Sequence, residues 1–225
     1  MGQIMPVQKI CRMAHEHGLE DLVDGAHSFG LLDFNLPALE ADYFGTSLHK
    51  YLSAPIGTGM LWIKRKHIGK IWPLLCNGLP KSKDIRKFET LGTRSFPLEQ
   101  GIGEALNFHN GMGAKRKEER VRYLKNYWAE KAQQIPGVCL HTSLKPAFSC
   151  AIAGVSITGM TPQLLEQQLL SKYKIHTTPI NHGNINCVRV SPHVYTRKSD
   201  LDRLVSALTN LAATFGNNQM EQKGS

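Results

Sequence analysis

Residues 42–62 read DYFGTSLHKYLSAPIGTGMLW. The segment 41–46 has strand character, and a histidine followed by a lysine, His49-Lys50, comes just past its end. Gly57-Thr58-Gly59 then opens another apolar segment, Met60–Ile63, closed by the charged Lys64-Arg65-Lys66. Upstream, LVDGAHSFG (22–30) repeats the arrangement: Asp21-Leu22-Val23-Asp24 reads as a short buried strand that ends on a carboxylate. Pro37–Glu40 fits a helical turn between the two. Strand, helical crossover and strand make a βαβ unit, whose strands pair in parallel. Ligands of parallel sheets sit beyond the carboxyl ends of the strands, so the pattern directs Asp24 and Lys50 toward one pocket. Taken alone, such an acid and amine are more simply a structural ion pair.

Outward from this stretch, Val7, Ile10, Cys11 and Ala14 follow helical spacing within residues 5–18, and Gly18 suits the stop. Residues 73–96 are punctuated by proline and glycine and read as loop. Residues 98–110 and 114–135 read as helices, the second with a core stripe of Val121, Leu124, Trp128, Ala132 and Ile135. From Pro136 the pattern changes. Val138–Thr142 and Ala151–Ile157 read as strands. Thr161–Lys174 reads as a helix with Thr161 as N-cap and Pro162 at its first position. Ile175–Ile180 and Cys187–Ser191 read as strands, and Ser199–Phe215 as a final helix. The fold class is α/β: part of a large domain with a mostly parallel sheet (1–110), a long connecting helix (111–136), a small α+β domain of order ββαββα (137–216) and a flexible tail (217–225).

The 225 residues are 41% hydrophobic and 20% charged, an ordinary globular balance that excludes disorder. No apolar run approaches the ~20 residues of a membrane span, and Met1–Pro6 lacks the pattern of a signal peptide. Five cysteines (Cys11, Cys76, Cys139, Cys150 and Cys187) are odd in number and widely spaced, which points to reduced thiols in a reducing, cytoplasm-like compartment. The net charge of +9 suits an anionic partner, but the densest basic run, 115–122, is interleaved with acids. It reads as a solvated helix face laced with ion pairs. With no aromatic-basic motif, no nucleic-acid partner is expected. His15-Glu16-His17 places its histidines on diverging sides of a helix, so it reads as a solvated helix end and no metal site is expected.

Asp24-Gly25-Ala26-His27 and Thr46-Ser47-Leu48-His49-Lys50, followed by Gly57-Thr58-Gly59, resemble the class V aminotransferases, fold-type-I enzymes that use pyridoxal 5′-phosphate. The resemblance is strong around VDGAHSFG, DYFGTSLHKYLSAPIGTGMLW, LGTRSFP and RVSPHVYT, extends to about residue 215, and is greatest to the isopenicillin N epimerase-like branch. It implies that Lys50 forms an imine with the cofactor aldehyde and later moves the substrate α-proton as general base. Asp24 would hold the proton on the pyridine nitrogen, which makes the ring an electron sink. His27 would lie against the ring or its 3′-oxygen, Ser47 and His49 would meet the phosphate, and Thr93 would reach the phosphate of a neighbouring subunit in a homodimer. Arg189 would bind the α-carboxylate of an amino-acid substrate through its two-pronged guanidinium. Thr46 receives no role. An ordinary glycine turn at Gly92-Thr93 and an edge-strand arginine at position 189 are the bland alternatives.

Desulfurases of this class carry a nucleophilic cysteine on a loop ahead of the arginine; here that loop, Ile175–Pro179, has none. The resemblance therefore implies transamination or epimerisation at an α-carbon, with α,β-elimination also open. Members of the family run to about twice this length, so the chain corresponds to a carboxyl-terminal fragment and is expected to bind the cofactor poorly by itself. The alternative is an inactive fragment that serves as a basic binding module.

Overall fold

The structure is a computed structural model that describes residues 2–75 and 78–221. The chain divides into two compact units, Pro6–Lys115 and Met1–Met5 with Arg116–Ser225.

The first unit opens with α1 (Val7–Glu16). Gly18 ends it at φ +69°, a left-handed position that glycine reaches without a Cβ penalty. Gly18 and Leu19 donate to the carbonyls of His15 and Ala14 at 3.0 and 2.9 Å, a complete Schellman closure. A three-stranded sheet follows, β1 (Leu22–Asp24), β2 (Tyr43–Ser47) and β3 (Gly59–Ile63), in the order β1-β2-β3. β1 and β2 are parallel, with Asp24 opposite Gly45, joined through a 3-10 turn at Pro37–Leu39 as the βαβ reading expects. β3 runs antiparallel to β2, so the pairing is mixed rather than mostly parallel. The physical reason is the connection: residues 48–58 form turns only, and a parallel return needs a longer crossover. Lys64-Arg65-Lys66 does not simply close the strand, because α2 (Arg65–Ile68) begins there. A 3-10 segment at Ile85–Glu89 interrupts the expected loop, and α3 (Phe96–Met112) completes the unit. Leu48, Leu52, Ala54 and Ala105 form a buried cluster that anchors the segment after β2 against α3.

The contact division falls between Lys115 and Arg116, inside the first turn of α4 (Ala114–Ala132). The long helix is thus part of the second unit's core. Leu124, Trp128, Ala129 and Ala132 are fully buried there with Val155, Leu169, Val188 and Leu208. The unit continues with β4 (Val138–Leu140), β5 (Ala153–Ile157), α5 (Pro162–Tyr173), β6 (Thr178–His182), β7 (Ile185–Val190) and α6 (Lys198–Glu221). The order is ββαββα, and the antiparallel sheet runs β4-β5-β7-β6. Thr161 caps α5 by accepting from the Leu164 amide at 3.2 Å, with Pro162 at the first helical position. The segment expected as a flexible tail is helical through Glu221; residues 222–225 and the expected thiol Cys76 lie outside the described residues.

Candidate functional site

Two turns at the carboxyl ends of β1 and β2 carry the candidate residues. After β1, the Asp24 carboxylate accepts from the Ala26 amide at 2.9 Å, an Asx-type turn that fixes its direction. Gly25 is buried under this turn and must be glycine, since an added Cβ would stand 1.9 Å from the Phe44 ring. After β2, the Leu48 amide donates to Thr58 O at 3.1 Å and the Ala54 amide to Leu48 O at 3.1 Å, which folds the Lys50 turn back onto the start of β3. His49 Nδ1 lies 3.3 Å from the same Thr58 carbonyl, so its Nε2 is the ring atom available to a ligand.

These turns bring Lys50 and His27 together: Lys50 Nζ is 3.4 Å from His27 Nε2. Asp24 sits on the neighbouring strand end, and among the described residues it forms no ion pair with Lys50. The simpler structural ion pair is therefore not what holds these two groups. An amine, an imidazole and an exposed carboxylate stand at adjacent ends of parallel strands, and Ser47 ends the central strand beside them. Thr93 is exposed on the segment before α3, and no hydrogen bond joins it to this cluster. Gly92 beside it takes φ +71°, which a glycine turn requires.

Arg189 belongs to the second unit, on β7 opposite Thr178 of β6. Its Nη2 donates to Thr178 Oγ1 at a long 3.4 Å, while its Nε is buried without a partner. A buried guanidinium nitrogen left so costs stability unless something else accepts from it. That is what a carboxylate-binding arginine needs.

No helix of the described residues is long and apolar enough to cross a membrane. Cys11, Cys139, Cys150 and Cys187 are free thiols. Burial pushes the Cys150 thiol up to about 11, with nearby Glu118 adding to it and Arg122 opposing. Burial likewise raises Cys187. Neither is a ready nucleophile, since the thiolate is the reactive form. Cys139 is exposed, but β5 separates its strand from β7.

Three features escape the sequence reading. First, His15 is not a solvated helix end. Its Nε2 lies 2.9 Å from Asp42 Oδ2 and 3.0 Å from Asp21 Oδ2. Asp42, almost fully buried, also meets His67 Nε2 at 2.8 Å and Lys64 Nζ at 3.1 Å. Burial alone would raise its carboxyl, but the bonds from His67, Lys64 and His15 overcome that and hold it well below the usual carboxylate range. His15, Asp21 and Asp42 have the spacing of metal ligands. With Lys64 already pairing with Asp42 and His67 Nε2 at 2.8 Å from it, the arrangement is that of an ion pair buried in a hydrogen-bonded network. Cys11 and His15 at i, i+4 on one helix face, and an aspartate leading a buried strand, were the available signals.

Second, the basic run 115–122 is only partly solvated. Lys117 is fully buried, and desolvation lowers its amine to about 8. Arg122 pairs with Glu118 one turn back and donates to the carbonyls of Pro146 and Ser149, while Arg120 donates to Thr196 O. These cations are engaged inside the unit, which speaks against a basic binding module on this face. Third, a cleft of about 660 Å³ opens in the first unit among Thr58, Met60, Phe88, Leu91, Leu98 and Ile102, with the Arg94–Glu99 ion pair at its wall.

Known proteins match this chain in sequence and in fold. The class V aminotransferase family model matches residues 1–204. The chain belongs to that family. It is 28% identical to the isopenicillin N epimerase of Amycolatopsis lactamdurans, over 94% of this chain and 57% of the relative. It is 25% identical to a probable cysteine desulfurase of Xylella fastidiosa, strain Temecula1, over 96% of this chain and 55% of that protein. In fold it is similar to the apo cysteine desulfurase of Thermococcus onnurineus NA1, with a TM-score of 0.85, 21% identity, and coverage of 95% of this chain and 57% of the other. The chain thus spans a little over half the length of the relatives it matches.

Proposed function

We propose that this chain carries the lysine-bearing part of a pyridoxal 5′-phosphate-dependent enzyme that acts at the α-carbon of an amino acid, by transamination or epimerisation, in a homodimeric whole protein. The observation that carries the reading is the convergence of Lys50 and His27 at 3.4 Å beside the Asp24 turn, at the carboxyl ends of parallel strands. The donor set fits the cofactor: a primary amine for its aldehyde carbon, a carboxylate for its pyridine nitrogen, an imidazole for its ring, and Ser47 with the free Nε2 of His49 for its phosphate. When bound, the cofactor supplies an electron sink for the pair left when the α-proton departs.

The chain's own residues do the rest. Lys50 would hold the cofactor through its amine, and that amine is the group placed to take the substrate α-proton, a role worth ~10²–10⁴-fold in rate. His27, within reach of Lys50 Nζ, orients that amine and would lie against the ring or its 3′-oxygen. Asp24, its direction set by the Ala26 amide, would keep the ring nitrogen protonated. Within the second unit, Arg189 offers a buried Nε without a partner and an Nη2 that Thr178 engages only at 3.4 Å, donors suited to a carboxylate. A thiol-based desulfuration is disfavoured, because the buried Cys150 and Cys187 thiols are raised.

The test is reductive trapping. Because this chain is expected to bind the cofactor poorly by itself, the whole protein is incubated with pyridoxal 5′-phosphate, treated with borohydride and mapped by peptide mass spectrometry. The expected result is an adduct on Lys50 in excess over every other lysine, lost in Lys50→Arg. An adduct spread evenly over the surface lysines would overturn the reading.

A further inference from the structure

We propose that Thr46 is a positioning residue: its hydroxyl fastens the Asp24–His27 turn to the central strand and thereby sets where His27 meets the Lys50 amine. The inference rests on the cofactor reading for its importance, but its geometry stands apart from it. The two turns that carry Asp24, His27 and Lys50 belong to different strands, and something must fix one against the other. The Gly25 amide donates to Gly45 O at 2.8 Å, and Thr46 Oγ1 donates to Gly25 O at 3.1 Å. These two bonds from consecutive residues of β2 clamp both sides of one peptide-bearing residue in the Asp24-Gly25-Ala26-His27 turn. Two residues past that clamp stands the His27 ring, 3.4 Å from Lys50 Nζ.

The bond from Thr46 has a distinct place among those made to the same carbonyl. Gly25 O also accepts from the amides of Ser28 and Phe29, at 3.0 Å each, and from Ser28 Oγ at 3.2 Å. Those donors lie within the turn and shape it internally. Thr46 is the side chain that reaches across from the neighbouring strand. It is 9% exposed, so its hydroxyl bond is shielded from water. Beneath it Phe44 presses on Gly25, where even a methyl group would collide at 1.9 Å, so the turn is held by contact from below and by the hydroxyl from the side. Removing the hydroxyl leaves Gly25 O satisfied by its local donors and the turn folded, and frees only its placement over β2. Displacements of this size matter to chemistry: a misplacement of about 1 Å costs ~10²-fold in rate.

The experiment reads geometry in the 225-residue chain without cofactor. The Lys50→Gln substitution removes the charge beside His27 and moves the His27 Cε1–H resonance in a proton–carbon NMR spectrum. The size of that movement measures the Lys50–His27 coupling and is taken in four backgrounds: wild type, Thr46→Val, Thr46→Ala and Thr46→Ser. Loss of the hydroxyl in Thr46→Val and Thr46→Ala is expected to shrink the movement by about twofold or more, and Thr46→Ser is expected to restore it. Thermal unfolding of each background identifies a variant that fails to fold, and Thr46→Ala then answers for Thr46→Val. An equal movement in the hydroxyl-free and hydroxyl-bearing backgrounds would overturn the proposal. So would a loss in Thr46→Ser as large as in Thr46→Ala, since volume and not the hydroxyl would then be at work. Borohydride trapping on the whole protein separates the two claims. Unselective trapping in wild type defeats the cofactor reading and leaves the NMR result to decide on Thr46, while Lys50-selective trapping with an unchanged resonance movement defeats the role of Thr46 alone.

Discussion

At the scale of single residues, Asp42 shows how a charge can be buried at the root of a site that needs its strand held still. Its carboxylate gathers His67, Lys64 and His15 from two helices and the segment between β3 and α2. Asp42→Asn keeps the shape and removes the charge, leaving the Lys64 ammonium without its partner beside a buried amide. The expected loss is about 3 kcal/mol at neutral pH, read from urea unfolding. The sign with pH follows from the depressed carboxyl. Its stabilisation is complete above the unfolded aspartate value near 4 and is lost as pH falls through the lower folded value. The gap between wild type and Asp42→Asn is therefore wide at neutral pH and closes below about pH 4; a gap that stayed constant on acidification would count against the network. The thiols make a second residue-scale prediction. Native alkylation near pH 8 should modify Cys139 and spare Cys11, Cys150 and Cys187, whose buried side chains stay protonated until unfolding. Fast labelling of Cys150 in the folded chain would contradict its burial. At this scale the sequence was partly legible. Asp24 and Lys50 could be set at neighbouring strand ends because strand ends are local features, whereas His27 came only through the resemblance. The His15–Asp42 pair spans 27 residues and joins a helix to the residue just before a strand, and only the i, i+4 relation of Cys11 and His15 hinted at a shared inward face.

At the scale of elements, local chemistry decided most starts and stops. Gly18 closes α1 and Thr161 opens α5 as their residue types require. Thr161→Ala should cost about 1 kcal/mol, with Thr161→Ser retaining most of it, as measured by chemical denaturation. Equal losses for both would mean that the Oγ bond to the Leu164 amide is not what Thr161 contributes. The misplaced elements have a common cause. The direction of β3 depends on its connection, and a turn-only link over 48–58 had to be weighed against the parallel habit of the preceding pair. Lys117 lies four residues before Val121 and extends the stripe Val121, Leu124 and Trp128 by one turn. Its charge masked a periodicity that was there to be seen. Long side chains can bury their stems and even their amines when the helix face demands it.

At the scale of the whole molecule, each unit carries its own core, and the order ββαββα could be followed from alternating runs because α+β units keep neighbouring elements in sequence order. The allegiance of the long helix could not, since an amphipathic stripe states that a core exists without naming which strands supply it. The structure places Trp128, with no exposed surface, among Val155, Val188 and Leu208, on the sheet of the Arg189 strand. That placement makes the helix answerable for the order of β5 and β7. Trp128→Ala removes the largest fully buried side chain and leaves a cavity, with an expected loss of about 3–5 kcal/mol. β5 and β7 are the two inner strands, bonded on both sides, so their amides report the opening of the unit as a whole. Hydrogen exchange should accelerate together at Val155 and Val188 in Trp128→Ala, and much less in Trp128→Phe, which refills most of the volume. Exchange that stayed slow at both strands would show that the helix does not support them. Arg189, whose neighbour in β7 is Val188, would then owe its position to the sheet alone.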